Sequence, residues 1–170
     1  MFWKRRKEAQ RASELCTAEL EYIEGRGLRR EGMHESAVES FESCLERIEA
    51  LDADDCSILL LRCLRGLGDC RFAQGQVDSA MNHYQRAQTL GQQRTEPSAE
   101  GYLLSNRIAR SWYALEGPER AEEYHRKSLD QVIAFRGEVH RDVALACSNL
   151  AEILVEIGRF GEARGHLEES

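Results

Sequence analysis

Small residues recur at a nearly constant interval along this chain, and no other feature limits the possible folds as strongly. They are glycine or alanine, at Gly25, Gly68, Ala109 and Ala151, separated by 43, 41 and 42 residues. A period of this length is typical of helical repeat proteins, in which every copy is one supersecondary unit that packs against its neighbours.

Each of these four anchor residues is followed by the same three positions. An alanine comes twelve residues later, a larger residue four further on, and a small residue three beyond that. In chain order they are Ala37, Ala80, Ala121 and Ala163; Phe41, Tyr84, His125 and Leu167; and Cys44, Ala87, Ser128 and Ser170. Small residues let two helices approach closely, and residues four apart lie on one helix face. The pattern therefore predicts two antiparallel helices in each copy.

A glycine separates the two helices of each copy. These glycines are Gly32, Gly75, Gly117 and Gly158, and glycine ends helices readily because it adopts a positive φ at little cost. Since the chain has only two prolines, we predict helix almost everywhere, with helix starts at Asp54-Asp55 and at Thr95-Glu96-Pro97. The eight predicted helices span residues 4–31, 34–52, 54–74, 77–91, 97–116, 118–136, 140–157 and 160–170.

The second copy resembles the tetratricopeptide repeat through Leu64, Leu67, Gly68, Phe72, Gly75, Ala80 and Tyr84. Residues 137–151 and 158–163 are similar to the longer repeats of kinesin light chain and related scaffold proteins. The resemblance implies an all-α fold, a right-handed superhelical solenoid of about four helix-turn-helix repeats. We expect a single domain over 1–170, with repeats near 14–53, 54–96, 97–138 and 139–170 and a helical extension over 1–13. Two residues depart from the family pattern, Glu24 before the first anchor and His125 at an aromatic position.

The resemblance also implies which side chains line a concave groove, because the first helix of each repeat faces it. The candidate peptide-binding residues are Tyr22, Arg26, Arg30, Arg62, Arg65, Phe72, Asn106, Arg110 and Tyr113. Arginine suits bidentate capture of carboxylates, and the aromatic residues offer apolar contact area. We therefore predict an adaptor or scaffold module that binds an acidic or amphipathic peptide of another protein. Simple solvation of these arginines on an exposed face stays open as the alternative interpretation.

A second function class is a structural element that self-associates end to end, its basic N-terminal end against its acidic C-terminal end. Phe160 and Leu167 are expected to be partly exposed at that C-terminal end, since no further helix follows to cover them.

Catalysis requires a nucleophile or base held by a partner residue, or a metal cluster, and the sequence shows none of these motifs. We predict no enzyme, no catalytic residues, no metal site and no cofactor. The net charge of −7 argues against nucleic acid as a partner, because phosphate binding needs an excess of Lys and Arg. No apolar run is long enough for a membrane span, and residues 1–7 lack the apolar stretch of a secretory signal.

Six cysteines are present, and none forms a C-x-x-C pair or lies at zinc-finger spacing from a histidine. Cys56, Cys63 and Cys70 recur every seven residues, which places them on one stripe of a helix. We expect these thiols to be buried and unlinked, which favours a reducing, cytoplasmic location.

Overall fold

The structure is a computed structural model that describes residues 2–51, 57–92 and 99–168. All regular secondary structure in these residues is α-helical, which confirms the predicted all-α fold class. The helices are α1 (Phe2–Arg30), α2 (His34–Ala50), α3 (Ser57–Ala73), α4 (Val77–Gln92), α5 (Ala99–Glu116), α6 (Pro118–Arg136), α7 (Arg141–Glu156) and α8 (Phe160–Glu168). The predicted helix starts at Asp54-Asp55 and Thr95-Glu96-Pro97, together with Cys56 and Ser170, lie outside the described residues.

The four predicted turn glycines all adopt a positive φ, from 76° to 96°. In the first, second and fourth copies the backbone N–H after the glycine bonds back to the preceding helix, as Met33 N–H does to Leu28 C=O. Pro118 begins α6, where its missing N–H removes no helical hydrogen bond. The turn positions of the repeat therefore form as the sequence pattern predicted.

The helices form two compact units, Met1–Leu90 with α1 to α4 and Gly91–Ser170 with α5 to α8. We call them the N-terminal unit and the C-terminal unit. The single domain and its repeat boundaries remain predictions.

The core of the N-terminal unit is built from aromatic rings packed against glycines. Phe41 of α2 is fully buried, and a Cβ placed on Gly25 of α1 or on Gly66 of α3 would lie within 3 Å of its ring. Tyr84 of α4 packs on Gly68 of α3 in the same manner. The glycines thus let neighbouring helices approach to the thickness of one ring, which is the role predicted for the anchors Gly25 and Gly68.

The cysteine stripe of α3 belongs to this core. Cys63 and Cys70 are fully buried, as predicted, and the Cys63 thiol donates to the sulfur of Cys44 on α2 at 3.1 Å. The five cysteines within the described residues are unlinked, and of these Cys16 alone is exposed.

The core of the C-terminal unit is aliphatic and centres on α7. Leu150 and Leu154 are fully buried and pack with Val132 of α6 and Ala163 of α8. His125 takes the position at which the other copies carry a larger apolar residue, and only 5% of it is exposed. Beyond this core Phe160 and Leu167 are 65% and 52% exposed, as expected for the last helix.

Candidate peptide-binding surface

Six of the nine predicted binding residues belong to the N-terminal unit. Tyr22, Arg26 and Arg30 lie on α1, while Arg62, Arg65 and Phe72 lie on α3. The carboxylate of Asp69 on α3 receives Arg29 Nη1 of α1 at 2.8 Å, so the two helix faces adjoin. We define the arginine face as Arg26, Arg29, Arg30, Arg62 and Arg65.

Tyr22 packs between this face and the core. Its ring is 8% exposed and lies 6.0 Å from the ring of Phe41, so the residue belongs to the core. The guanidinium carbon of Arg26 lies 5.6 Å from the centre of the Tyr22 ring, which is a cation–π distance. A buried aromatic ring in this position restricts the directions in which the Arg26 guanidinium can point.

Asp69 is the anchoring acid of the surface, and the candidate list did not include it. Its side chain is 6% exposed and accepts from Arg29 and from the Tyr84 hydroxyl, the latter at 2.9 Å. Arg65, one turn earlier on α3, approaches the same carboxylate at 3.9 Å. A single buried carboxylate thus orients two arginines of the surface and fixes the hydroxyl of a core tyrosine.

The sequence held a partial signal for this network. Arg65 and Asp69 stand at i and i+4, the spacing at which helical side chains meet. The pairing of Arg29 with Asp69 across two helices spans 40 residues, and no local pattern predicts it.

The remaining candidates, Asn106, Arg110 and Tyr113, lie on α5 of the C-terminal unit. The Tyr113 hydroxyl donates to Glu156 of α7 at 3.2 Å, and this hydrogen bond raises the pKa of the tyrosine. Tyr113, Leu145 and Val155 are 43%, 60% and 47% exposed. The adjoining faces of α5 and α7 therefore offer apolar and acidic groups, in contrast to the arginine face.

An arginine–tryptophan contact that no sequence pattern predicts joins α5 and α6. Arg120 of α6 stacks over Trp112 of α5 at 4.9 Å from the ring centre. Trp112 also lies 6.5 Å from Tyr124 of α6, so it serves the packing of this helix pair.

Neither unit assembles a catalytic constellation from the residues described. No group of three His, Cys, Asp or Glu side chains in those residues could hold a metal ion. Burial lowers the pKa of His125 to about 4, with Arg110 adding to the effect, so this imidazole is neutral at physiological pH. None of the helices in the described ranges has the length and hydropathy required to cross a lipid bilayer.

Comparison with known proteins agrees with this architecture. The family model described as tetratricopeptide repeat matches residues 16–93 and 102–170. The chain therefore belongs to the tetratricopeptide-repeat family, whose members are generally protein–protein interaction scaffolds without enzymatic activity. A search of curated proteins found no match.

Solved structures show the same fold in kinesin-light-chain-like proteins. BtubC (BKLC) from P. vanneervenii superposes with a TM-score of 0.78 at 22% identity, over 95% of this chain and 71% of that one. A protein of Podosopora anserina, assigned as a kinesin light chain with nearly identical TPR-like repeats, gives 0.74 at 18% identity over 89% and 72%. The predicted resemblance to long repeats of the kinesin light chain type is confirmed.

Proposed function

We propose that this chain is an interaction module whose arginine face binds an acidic, amphipathic segment of a partner protein. The observation that carries the proposal is the charge of that face. Five arginines stand at the adjoining positions of α1 and α3, where the acids are Glu19 and Asp69. Among the residues that the structure describes on these two faces, the arginines outnumber the acids, so the surface carries an excess of positive charge although Asp69 is already bound by Arg29, Arg65 and Tyr84.

Ion pairs alone cannot hold such a ligand. An exposed pair contributes about 0.2–1 kcal/mol, whereas micromolar binding requires roughly 8 kcal/mol. The ligand must therefore bury apolar side chains too, at about 1.5–3 kcal/mol for each one fully buried. Phe72, which is half-buried near the end of α3, is the apolar contact that we assign to it.

Tyr22 acts in this proposal through Arg26. Its ring is too deeply buried to offer much surface to a ligand, but it underlies the guanidinium of Arg26. A guanidinium restricted in this way loses less rotamer entropy when it binds a carboxylate. The binding residues in direct contact are then Arg26, Arg30, Arg62 and Phe72.

End-to-end self-association is the alternative. It would draw on the exposed Phe160 and Leu167 and on the acids of α8. However, Glu162 is bound inside the C-terminal unit by Arg159 at 2.6 Å and by Arg126 at 3.0 Å. This acid is less available to a second molecule, so we favour peptide capture. An apparent molecular mass that rises with protein concentration in the wild type, but not in the Leu167→Asp variant, would instead support the end-to-end contact.

The unlinked thiols are consistent with a reducing compartment, and we propose a cytoplasmic location. Export of the native chain to an oxidising compartment, shown by fractionation of cells, would contradict it.

The test of peptide capture uses a short fluorescein-labelled peptide of glutamates that carries leucines, and a matched peptide in which glutamine replaces every glutamate. Fluorescence anisotropy should show binding of the glutamate peptide, weakened as salt screens exposed charges over about 10 Å at 0.1 M. Arg26→Glu and Arg62→Glu should each weaken it by about 1 kcal/mol, roughly fivefold.

Arg164→Glu is the matched control, because it makes the same charge change on α8. The Arg164 side chain is 78% exposed and pairs with Glu168 of the same helix at 3.5 Å. Arg86 is a poorer control, because it pairs with Glu49 across α4 and α2. Equal binding of the two peptides, or equal losses in the control and the face variants, would refute the proposal.

A further inference from the structure

Helix α1 has an exposed apolar stripe on the side turned away from its own unit. Leu20 and Ile23 are 62% and 60% exposed, and Ala9, Ala12 and Cys16 are exposed in line with them. We call these five residues the α1 seam. The opposite side of α1 is buried, with Ala18 fully enclosed and Gly25 packed on Phe41 of α2.

The α1 seam lies on a different side of α1 from Tyr22 and Arg26, and it meets the proposed peptide-binding surface at Arg30, seven residues after Ile23. At about 3.6 residues per turn, it lies roughly 100° around the helix from Tyr22 and Arg26. Large apolar side chains exposed together along a helix are a feature of interaction surfaces. We therefore expect the α1 seam to be covered by a binding partner other than the acidic peptide.

The charges along α1 indicate which occupant fits. Residues 4–11 carry five basic side chains and one glutamate, whereas residues 14–24 carry four glutamates and no basic side chain. Glu14 and Glu21 are engaged by Arg47 of α2, each at 2.8 Å. Glu19 and Glu24 remain exposed, as do Arg5 and Arg6. The outward face of this helix is thus positive towards its start and negative towards its middle.

A helix with this polarity is complementary to an antiparallel copy of itself. We propose that the α1 seam is a homodimer contact, in which α1 of a second copy docks antiparallel and two-fold related. A two-fold register that places Ala9 opposite Leu20 also brings Ala12 to within one residue of Cys16, so that the alanines of one copy face other apolar side chains of the seam. It brings Arg6 to within one residue of Glu24.

The last pairing follows from helix geometry. Arg6 and Glu24 are 18 residues apart, which is about five whole turns, so both lie on the same edge of the seam. In an antiparallel two-fold pair each edge meets its own counterpart, and the arginine of either copy faces the glutamate of the other. A two-fold contact of this kind closes on itself, whereas end-to-end association is head-to-tail and extends to chains.

Sedimentation equilibrium of the chain over a range of concentrations, at low salt, tests the proposal. The wild-type chain should show a monomer–dimer equilibrium. Leu20→Asp should weaken it at least tenfold, and because Leu20 is exposed the variant should keep its helical content by circular dichroism. The control is Leu167→Asp at a leucine of α8 that is 52% exposed, and this variant should leave the dimer unchanged.

Charge exchange tests the antiparallel register. Arg6→Glu and Glu24→Arg should each weaken the dimer severalfold, and the double variant should restore it. A monomer at every concentration would overturn the proposal, as would a dimer that Leu20→Asp leaves intact. Failure of the double variant to recover would overturn the register. Peptide binding is measured separately, so a failure here leaves the arginine face untouched.

Discussion

Replacement of Gly68 by alanine should destabilise the N-terminal unit, although alanine is the better helix former. A Cβ at this position would lie 2.3 Å from Cε1 and 2.7 Å from Cδ1 of Tyr84. The tyrosine cannot turn away easily, because its ring is 1% exposed and its hydroxyl is bonded to Asp69. The added methyl group must therefore push α3 and α4 apart or break that hydrogen bond.

The expected size of the effect follows from two opposing terms. Alanine gains about 1 kcal/mol of helix propensity over glycine. Overpacking a tight core typically costs about 1–3 kcal/mol, and loss of the Tyr84–Asp69 hydrogen bond would cost about 1 kcal/mol more. We therefore expect a net loss of about 1–3 kcal/mol in the free energy of unfolding.

The matched control is Gly27→Ala in α1. A Cβ on Gly27 meets no atom within 4 Å, so the propensity gain of about 0.5–1 kcal/mol should remain. Urea unfolding followed by far-ultraviolet circular dichroism compares the two midpoints with the wild type. These two glycine-to-alanine substitutions should shift the midpoint in opposite directions, and a midpoint of Gly68→Ala at or above that of Gly27→Ala would refute the prediction.

Three further predictions concern buried groups. In dilute native protein at pH 8, where the α1 seam is not covered by a second copy, a thiol reagent should modify Cys16 quickly and Cys63 and Cys70 slowly. The hydrogen bond that Cys63 donates to Cys44 and burial raise the pKa of Cys63, and burial raises the pKa of Cys70 to about 11. Rapid labelling of Cys63 or Cys70 without denaturant, read by mass spectrometry, would contradict the core assignment. Burial lowers the pKa of His125 from 6.5 to about 4, so between these pH values the unfolded chain binds a proton that the folded chain does not. The free energy of unfolding should therefore fall by up to about 3 kcal/mol as the pH drops from 6.5 to 4. Urea titrations of His125→Phe should show most of this pH dependence removed, and an unchanged pH dependence would exclude His125 as its source. Asp69→Ala should lower the free energy of unfolding by about 2 kcal/mol, because Arg29 and the Tyr84 hydroxyl lose their acceptor. Asp69→Asn, which keeps an acceptor oxygen, should lower it less when both variants are measured by calorimetry. Equal losses of stability in the two variants would show that the Tyr84 hydrogen bond contributes little.

The fold could be predicted from the sequence because the repeated residues are the ones at which helices pack against each other. Gly25, Gly68, Ala37 and Ala80 are small where helices cross, and the structure buries all four. The positive φ of Gly32 is likewise a local requirement that a single residue type satisfies at low cost. Signals of this kind occur in every copy of the repeat, so the pattern predicts both the helices and which helices pack together.

The candidate surface was less accessible from sequence, because side-chain partners across helices are not periodic. Tyr22 was expected to contact a ligand, and the structure places its ring in the core beneath Arg26. Asp69 is not among the candidate residues, but its bonds to Arg29 and Tyr84 make it the anchor of the surface. The helical period predicts on which face of a helix a residue lies. How deeply its side chain is buried, and which side chain it contacts, depend on the neighbouring helix.

Exchange of charge on the arginine face determines whether its positive charge selects an acidic ligand. The Arg26→Glu, Arg62→Glu double variant and the wild-type chain are titrated with the glutamate–leucine peptide and with a lysine–leucine peptide of the same design. The wild type should prefer the glutamate peptide and the double variant the lysine peptide, with unchanged helical content. If both proteins rank the two peptides in the same order, the arginine face does not discriminate ligand charge and the proposed function is wrong.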